Sequence, residues 1–190
     1  FVNSATARFI YTNQLLSILE PFVRRKGEWG TADGIALYLA HQRLYLTNAI
    51  GKMAPRVITR AIGPRIDAVV APYVFEGSPD AKTHGVFALK PGDNGHDVRF
   101  EVDGGPFHWE RFHFEKAKAV LLWKGDILTI TNTSGRWHGA AVNGSAFFDF
   151  DRTTRDNMFA FQARLEDGDL RKILKDLQPD RKGKVEGKLD

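Results

Sequence analysis

The sequence contains no cysteine among its 190 residues. Without thiols the chain can form neither a disulfide framework nor a thiolate-based metal or redox site. It also lacks any apolar run near the roughly 20 residues that a membrane-spanning helix needs, and no signal peptide is visible. Neither sign of charge dominates, because 27 Lys and Arg are interleaved with 23 Asp and Glu. That small excess does not favour nucleic acid as a partner.

What the chain does contain is typical of a folded protein, with 43% hydrophobic and 26% charged residues. This balance excludes wholesale disorder. The sequence starts at Phe1 in strand-like sequence, and residues 184–190 also look like a strand. We therefore expect a segment of a longer polypeptide, with any targeting signal outside it.

Residues 1–72 are predicted to form a strand and helix segment that leads into a sheet. A short strand over Ala5 to Tyr11 is followed by apolar residues at helical spacing from Leu15 to Val23, which predicts a helix capped by Thr12 or Asn13. Two strands come next, over residues 35–40 and 44–47. Pro55 then opens a second helix that is interrupted at Gly63-Pro64 and ends at Pro72.

Residues 73–190 are predicted to form an antiparallel sheet with a short helix at about 169–177. Almost everything from Tyr73 to Leu165 alternates between apolar and polar residues, and Asn-Gly or Asp-Gly turn signals recur between the alternating runs. We include Asn143-Gly144 among these turns. The predicted strands are His84–Lys90, Asp97–Val102, Phe112–Trp123, Ile127–Asn132, Ala140–Phe150 and Met158–Leu165.

Alternation within these strands predicts a sheet with one buried face. Phe100 and Val102 oppose Arg99 and Glu101, for example. From Phe112 to Leu121 the apolar residues share one face only if the alternation slips once near Glu115-Lys116, and a β-bulge is the expected cause.

One stretch of sequence is repeated in a looser form. Residues 44–52 and residues 128–136 both read Leu-x-apolar-Thr-Asn-x-x-Gly-basic. A second echo, of a strand followed by a helix, links Ala7-Arg8-Phe9 before residues 15–19 with Ala163-Arg164-Leu165 before residues 170–174. Repetition of this kind indicates an elongated, modular β-architecture, and coincidence is the alternative.

No phosphate-binding glycine loop, nucleophile elbow or zinc-protease helix occurs. The best catalytic candidates form two pairs, because on a strand His108 shares a face with Glu110 and His113 shares a face with Glu115. Such pairs can bind a metal. The same alternation explains their spacing as the polar side of a strand, which we favour. The prediction is therefore no enzyme, no metal and no cofactor.

Aromatic residues are abundant, with four Trp and 14 Phe. Most aromatic residues at strand spacing belong to a core. The alternative is an apolar lining for a lipid, because a sheet with one apolar face needs something to cover that face.

The stretch from Phe107 to Asp190 resembles the AsmA-like family of Gram-negative envelope proteins. The resemblance is carried by the motifs Gly105-Pro106-Phe107, residues 112–119, residues 122–132, residues 139–144, residues 161–170 and the closing residues 183–189. It resembles the C-terminal type of segment in that family, and residues 46–49 leading into the Pro55 helix fit its looser members.

The resemblance implies a long, open, groove-shaped β-sheet with an apolar interior and no catalytic residues. It further implies a periplasmic location, an inner-membrane anchor through a helix outside this segment, and a role in phospholipid transport and outer-membrane integrity. The implied partners are lipid acyl chains, the remainder of the same long polypeptide and other envelope proteins.

The expected fold is α+β and β-rich: an antiparallel meander that forms an open curved sheet or groove, with short amphipathic helices. The expected function is a non-enzymatic lipid-binding or lipid-conduit segment, and the alternative is a structural scaffold whose apolar face is closed by its own helices. The side chains expected to face lipid are Phe100, Val102, Phe148, Phe150, Phe159, Phe161 and Leu165.

Overall fold

The computed structural model describes residues 2–62, 64–90, 92–109, 111–149 and 158–177. Its helices are α1 (Pro55–Ile62), α2 (Pro64–Val70) and α3 (Leu170–Leu177). Its strands are β1 (Ser4–Thr12), β2 (Leu15–Arg25), β3 (Glu28–Thr31), β4 (Gly34–Tyr38), β5 (Arg43–Lys52), β6 (Tyr73–Phe75), β7 (Asp80–Ala88), β8 (Asp97–Gly104), β9 (Phe107–Trp109), β10 (Phe112–Phe114), β11 (Lys116–Lys124), β12 (Ile127–Trp137), β13 (Ala140–Asp149) and β14 (Met158–Glu166).

An 11-stranded antiparallel sheet, the main sheet, dominates the described residues. Its order is β1-β2-β3-β5-β7-β8-β11-β12-β13-β14, and β4 lies end to end with β3, so that both pair with β2 and β5. A second sheet, the small sheet, has the order β10-β9-β6. The prediction of a β-rich antiparallel protein with few helices is thus confirmed.

The helix predicted from Leu15 to Val23 is wrong, because these residues form β2. Asn13 and Gln14 both have positive φ angles, 46° and 62°, and make the tight turn of the β1–β2 hairpin. Such turns need positive φ at both central residues, and Asn tolerates that conformation better than most residues.

A β-bulge explains why β2 reads like a helix. The pairing of β1 with β2 shifts by one residue between Thr6 and Arg8, where Glu20 has a φ of 50°. Residues 15–19 carry apolar side chains on both faces of β2, and the extra residue moves the later apolar positions by one, so the combined spacing imitates a helix. Pro21 follows the bulge directly, at a place where a strand tolerates proline.

The slip in alternation expected near Glu115-Lys116 is a change of sheet. Phe112 and Phe114 belong to β10 in the small sheet, whereas β11 begins at Lys116 in the main sheet. The single strand predicted over Phe112–Trp123 is therefore divided. The turn predicted at Asn143-Gly144 is also wrong, because both residues lie inside β13, paired with β12 and β14.

The repeated motif has the same local geometry in both places. Asn48 in β5 and Asn132 in β12 have φ angles of 46° and 50°, and each strand has a register shift there. The glycines three residues later also match. A Cβ on Gly51 would lie 2.5 Å from the Trp29 carbonyl oxygen, and a Cβ on Gly135 would lie 2.5 Å from that of Lys116. The motif therefore specifies a bulged strand followed by a close approach of backbones.

The predicted helices at Pro55 and at 169–177 are present. The first is divided as expected, because α1 ends at Ile62 and α2 begins at Pro64. Asp67 joins α2 to α1 by accepting hydrogen bonds from Arg56 and Thr59. These bonds, chiefly the one from Arg56, lower the pKa of Asp67 to about 2. At α3 the Asp169 carboxylate accepts from the Arg171 backbone N–H at 3.0 Å and caps the helix.

Two apolar clusters form the core of the described residues. The central cluster contains Leu46, Phe87, Val98, Trp123 and Leu128 from neighbouring strands of the main sheet. The second cluster contains Trp137, Ala140, Val142 and Ile173, and Ile173 comes from α3. Within the described residues 2–45, the only buried apolar residue is Ala32.

Candidate functional site

One row of apolar residues crosses the main sheet from β1 to β14. Directly paired residues in antiparallel strands present their side chains on the same face, so the register places the whole row on one side. We call this row the apolar row and its side of the sheet the apolar face. In spatial order the apolar row is Phe9, Ile18, Ile35, Leu46, Gly85, Val98, Trp123, Leu128, Phe148 and Phe159.

Burial along the apolar row is greatest in the middle of the sheet. Val98 is 2% exposed, whereas Phe9 is 65% exposed and Phe159 is 64% exposed. None of the residues of the row is charged. The row is therefore a continuous apolar strip that is covered at its centre and open to solvent at both edges of the sheet.

Most of the residues expected to face lipid share the apolar face. Phe148 and Phe159 are members of the apolar row. Phe100 and Phe161 lie in an adjacent row, linked through Leu121, Ile130 and Ala146. Val102 pairs with Ala119 and Leu165 with Val142 on the same face. Phe150 lies outside the described residues.

Sequence reasoning missed most of the face. Trp123 and Leu128 lie at apolar positions of predicted strands, so alternation alone could have placed them beside Phe148. Ile18 was assigned to a helix, and the bulge at Glu20 concealed the strand signal. Phe87 is fully buried, and only pairing between distant segments shows how central it is.

The small sheet lies over one part of the apolar face. Trp109 makes an edge-on contact with Phe148, with ring centroids 6.5 Å apart, and Phe112 and Phe114 contact Trp137. Within the small sheet, Tyr73 stacks on Trp109 at 6.0 Å. Burial raises the pKa of Tyr73, in line with its place in this aromatic layer. The contacts cover the face near β12 and β13.

Helix α3 packs against the main sheet at the β12–β13 turn, next to the small sheet. Its Asp176 carboxylate accepts a hydrogen bond from the Trp137 indole N–H at 3.1 Å and lies 2.8 Å from His138 Nε2. Ile173 packs in the cluster with Ala140 and Val142. An apolar side chain and a shared carboxylate thus hold α3 against the main sheet.

His96 packs against the central cluster, at the opposite ends of the strands from α3. The His96 ring stacks on Trp123 with centroids 4.5 Å apart, and its Nδ1 accepts a hydrogen bond from the Ala88 backbone N–H at 3.2 Å. Phe87 meets His96 edge-on. The stack covers the apolar face just before β8 begins.

The candidate metal ligands are only partly brought together. His108 and His113 are cross-strand neighbours in the small sheet, with ring centroids 5.3 Å apart. Glu115 accepts a hydrogen bond from the Gly139 backbone N–H, and Glu110 lies outside the described residues. Within the described ranges, no group of three or more His, Asp or Glu side chains converges as a metal site would require.

Two further observations bear on function. Among the described helices, none combines the length and hydropathy needed to span a bilayer. Comparison with protein-family models, with curated proteins and with solved structures found no match.

Proposed function

We propose that this chain is a non-enzymatic lipid-binding segment that conducts phospholipid acyl chains along an apolar groove. The observation that carries the proposal is the apolar row, which runs from β1 to β14 without a charge. A closed core ends inside a protein, whereas this row is still apolar at the exposed Phe9 and Phe159. Acyl chains need such an uninterrupted surface, because a charge against hydrocarbon costs several kcal/mol.

The groove shape is part of the proposal. Bulges and glycines bend sheets, and this sheet has bulges at Glu20, Asn48 and Asn132. Bending toward the apolar face would make that face concave. The resemblance to the AsmA-like family supports the same interpretation, with phospholipid as cargo, a periplasmic location and an inner-membrane anchor outside this segment.

The alternative is a structural scaffold of the envelope whose apolar face is closed by its own elements. The contacts of α3 and the small sheet with Trp137 and Phe148 favour this alternative for the β12–β13 region. The two functions predict different effects of a charged substitution at Phe148. A groove that opens to water tolerates a charge there in the absence of lipid, whereas a closed core does not.

Photo-crosslinking tests the conduit. A photoreactive phenylalanine analogue at Phe161 should crosslink to phospholipid acyl chains, whereas the same analogue at Gln162, one residue along β14 on the opposite face, should not. Equal crosslinking at both positions would contradict the proposal, and so would none at either.

Substitution separates the two functions. Phe148→Asp should retain most of the stability and lose lipid crosslinking if the face lines a groove. If Phe148→Asp unfolds the protein while Gln162→Asp does not, the scaffold is supported. Phe161→Asp is the second variant, because its side chain is 69% exposed and its stability should hold under either function. With the photoreactive analogue placed at Phe159, on the same face of β14, unchanged crosslinking in Phe161→Asp would exclude Phe161 from the lipid path.

A further inference from the structure

The face of the main sheet opposite the apolar row carries a compact cationic and apolar surface in β2, β3 and β5. Two adjacent cross-strand rows form it, and the register places both on the same side. Arg24 and Lys52 are exposed, and Phe22 and Ile50 are each 40% exposed. We call this surface the docking patch, and it consists of Phe22, Arg24, Trp29, Ile50 and Lys52.

Further cations lie at the same end of these strands. Lys26 follows β2 in the turn to β3, and α1 begins at Pro55, three residues after Lys52. Arg56 and Arg60 on α1 share the single carboxylate of Asp67.

Two carboxylates lie near the docking patch, and one of them, Glu28, is already engaged. Glu28 accepts hydrogen bonds from the Ser78 hydroxyl and the Ala54 backbone N–H, and the Ser78 bond chiefly lowers the pKa of Glu28. Asp80 is the cross-strand neighbour of Lys52 in β7. Cations therefore outnumber carboxylates around the docking patch, although positive and negative charges almost balance in the whole chain.

The mixture of side chains points to one class of partner. A surface that binds anionic bilayers combines Lys and Arg, which attract the headgroups, with Phe, Trp or Ile, which enter the boundary between headgroups and acyl chains. Nucleic acid would gain from the cations and from Trp29, but it offers nothing to the exposed aliphatic Ile50. We propose that the docking patch binds the surface of an anionic lipid bilayer.

This inference does not depend on the proposed conduit. The docking patch lies on the opposite face of the sheet from the apolar row, so bilayer docking and acyl-chain binding use separate side chains. If both hold, docking would bring the β1 edge of the apolar row near a membrane.

Co-sedimentation with vesicles tests the proposal. The full chain should bind vesicles of phosphatidylcholine mixed with phosphatidylglycerol and should bind pure phosphatidylcholine vesicles far more weakly. Added salt should weaken the binding, because the attraction between surface charges is screened. Equal binding to both kinds of vesicle, or to neither, would overturn the proposal.

Paired variants locate the binding. Arg24→Gln with Lys52→Gln should weaken binding to the anionic vesicles roughly 25-fold, since each cation near an anionic surface contributes about a fivefold factor. Lys118→Gln with Lys124→Gln, on the same face but in β11, is the matched control and should bind like the unmodified chain. Equal loss in both pairs, or no loss in the first, would overturn the assignment.

Two further measurements distinguish bilayer docking from a folding defect and from nucleic-acid binding. Thermal unfolding should show both double variants folded, because these substitutions are on the surface. Phe161→Asp should keep vesicle binding whether or not the conduit proposal holds. Tighter binding of a single-stranded oligonucleotide than of anionic vesicles, lost in the Arg24 and Lys52 variant, would replace the bilayer with nucleic acid as the partner.

Discussion

The centre and the edges of the main sheet use the same apolar row in different ways. At the centre, Val98, Trp123 and Leu128 are buried and belong to one cluster. At the edges, Phe9 and Phe159 continue the row with most of their surface exposed. The amino-acid types hardly change along the row, so position in the sheet decides which residues stabilise the fold. The edge residues are left available for a ligand or a partner.

The largest expected loss of stability comes from truncating a side chain in the central cluster of the main sheet. Phe87→Ala should lower the free energy of unfolding by about 3 to 5 kcal/mol, because it leaves a cavity where the side chain was fully buried. Phe159→Ala should cost less than about 1 kcal/mol, because the exposed ring loses little burial. Urea denaturation of both variants measures the difference. Similar losses at both sites would show that the edge is packed as tightly as the centre.

The next effect concerns the close backbone approaches beside the bulges. Gly51→Val and Gly135→Val should each cost about 1 to 3 kcal/mol, because even the first side-chain carbon would meet a neighbouring carbonyl oxygen. Gly77→Val is the matched control, since nothing lies within 4 Å of an added Cβ there. The same denaturation measurement applies, and a cost at Gly77 equal to the others would remove the special role of the repeated motif.

A smaller effect is expected at the bulges themselves. Asn132→Ala should cost about 1 kcal/mol, because alanine adopts positive φ less readily than asparagine, whereas Asn132→Gly should be close to neutral. Asn143 in β13 does not have a positive φ, so Asn143→Ala should change the stability little. Thermal unfolding compares the three variants. If Asn132→Gly destabilised as much as Asn132→Ala, lost side-chain contacts rather than backbone conformation would be responsible.

The smallest effect lies outside the sheet, at the α1–α2 junction. The folded pKa of Asp67 is about 2, below the ordinary 3.8, because Arg56 donates to the carboxylate. A depressed pKa means that ionised Asp67 contributes stability above about pH 4, and that this contribution disappears as the pH falls through 2. An NMR titration of the Asp67 carboxyl checks the pKa. In Arg56→Gln the pKa should move back toward 3.8, and an unchanged value would exclude Arg56 as the cause.

Strands with a regular alternation could be predicted well from the sequence, because one face of each strand is apolar over its whole length. The predicted strand Met158–Leu165 corresponds to β14, and the helix at 169–177 corresponds to α3. The helix predicted over residues 15–23 is wrong, because apolar side chains on both faces of β2 and the bulge at Glu20 together imitate helical spacing. For the candidate site, alternation correctly grouped Phe148 with Phe159 but could not reveal that Phe9 and Ile18 extend the same row.

The sequence by itself determined the antiparallel β-rich class, the division between α1 and α2, and the repetition of one motif around Asn48 and Asn132. These features depend on local preferences: alternation, proline and glycine at fixed places, and asparagine at positive φ. Only the tertiary structure decided the continuous apolar row, the cover by the small sheet, and the docking patch around Arg24 and Lys52. Those features depend on register between segments far apart in the chain, and no local pattern encodes which strands become neighbours.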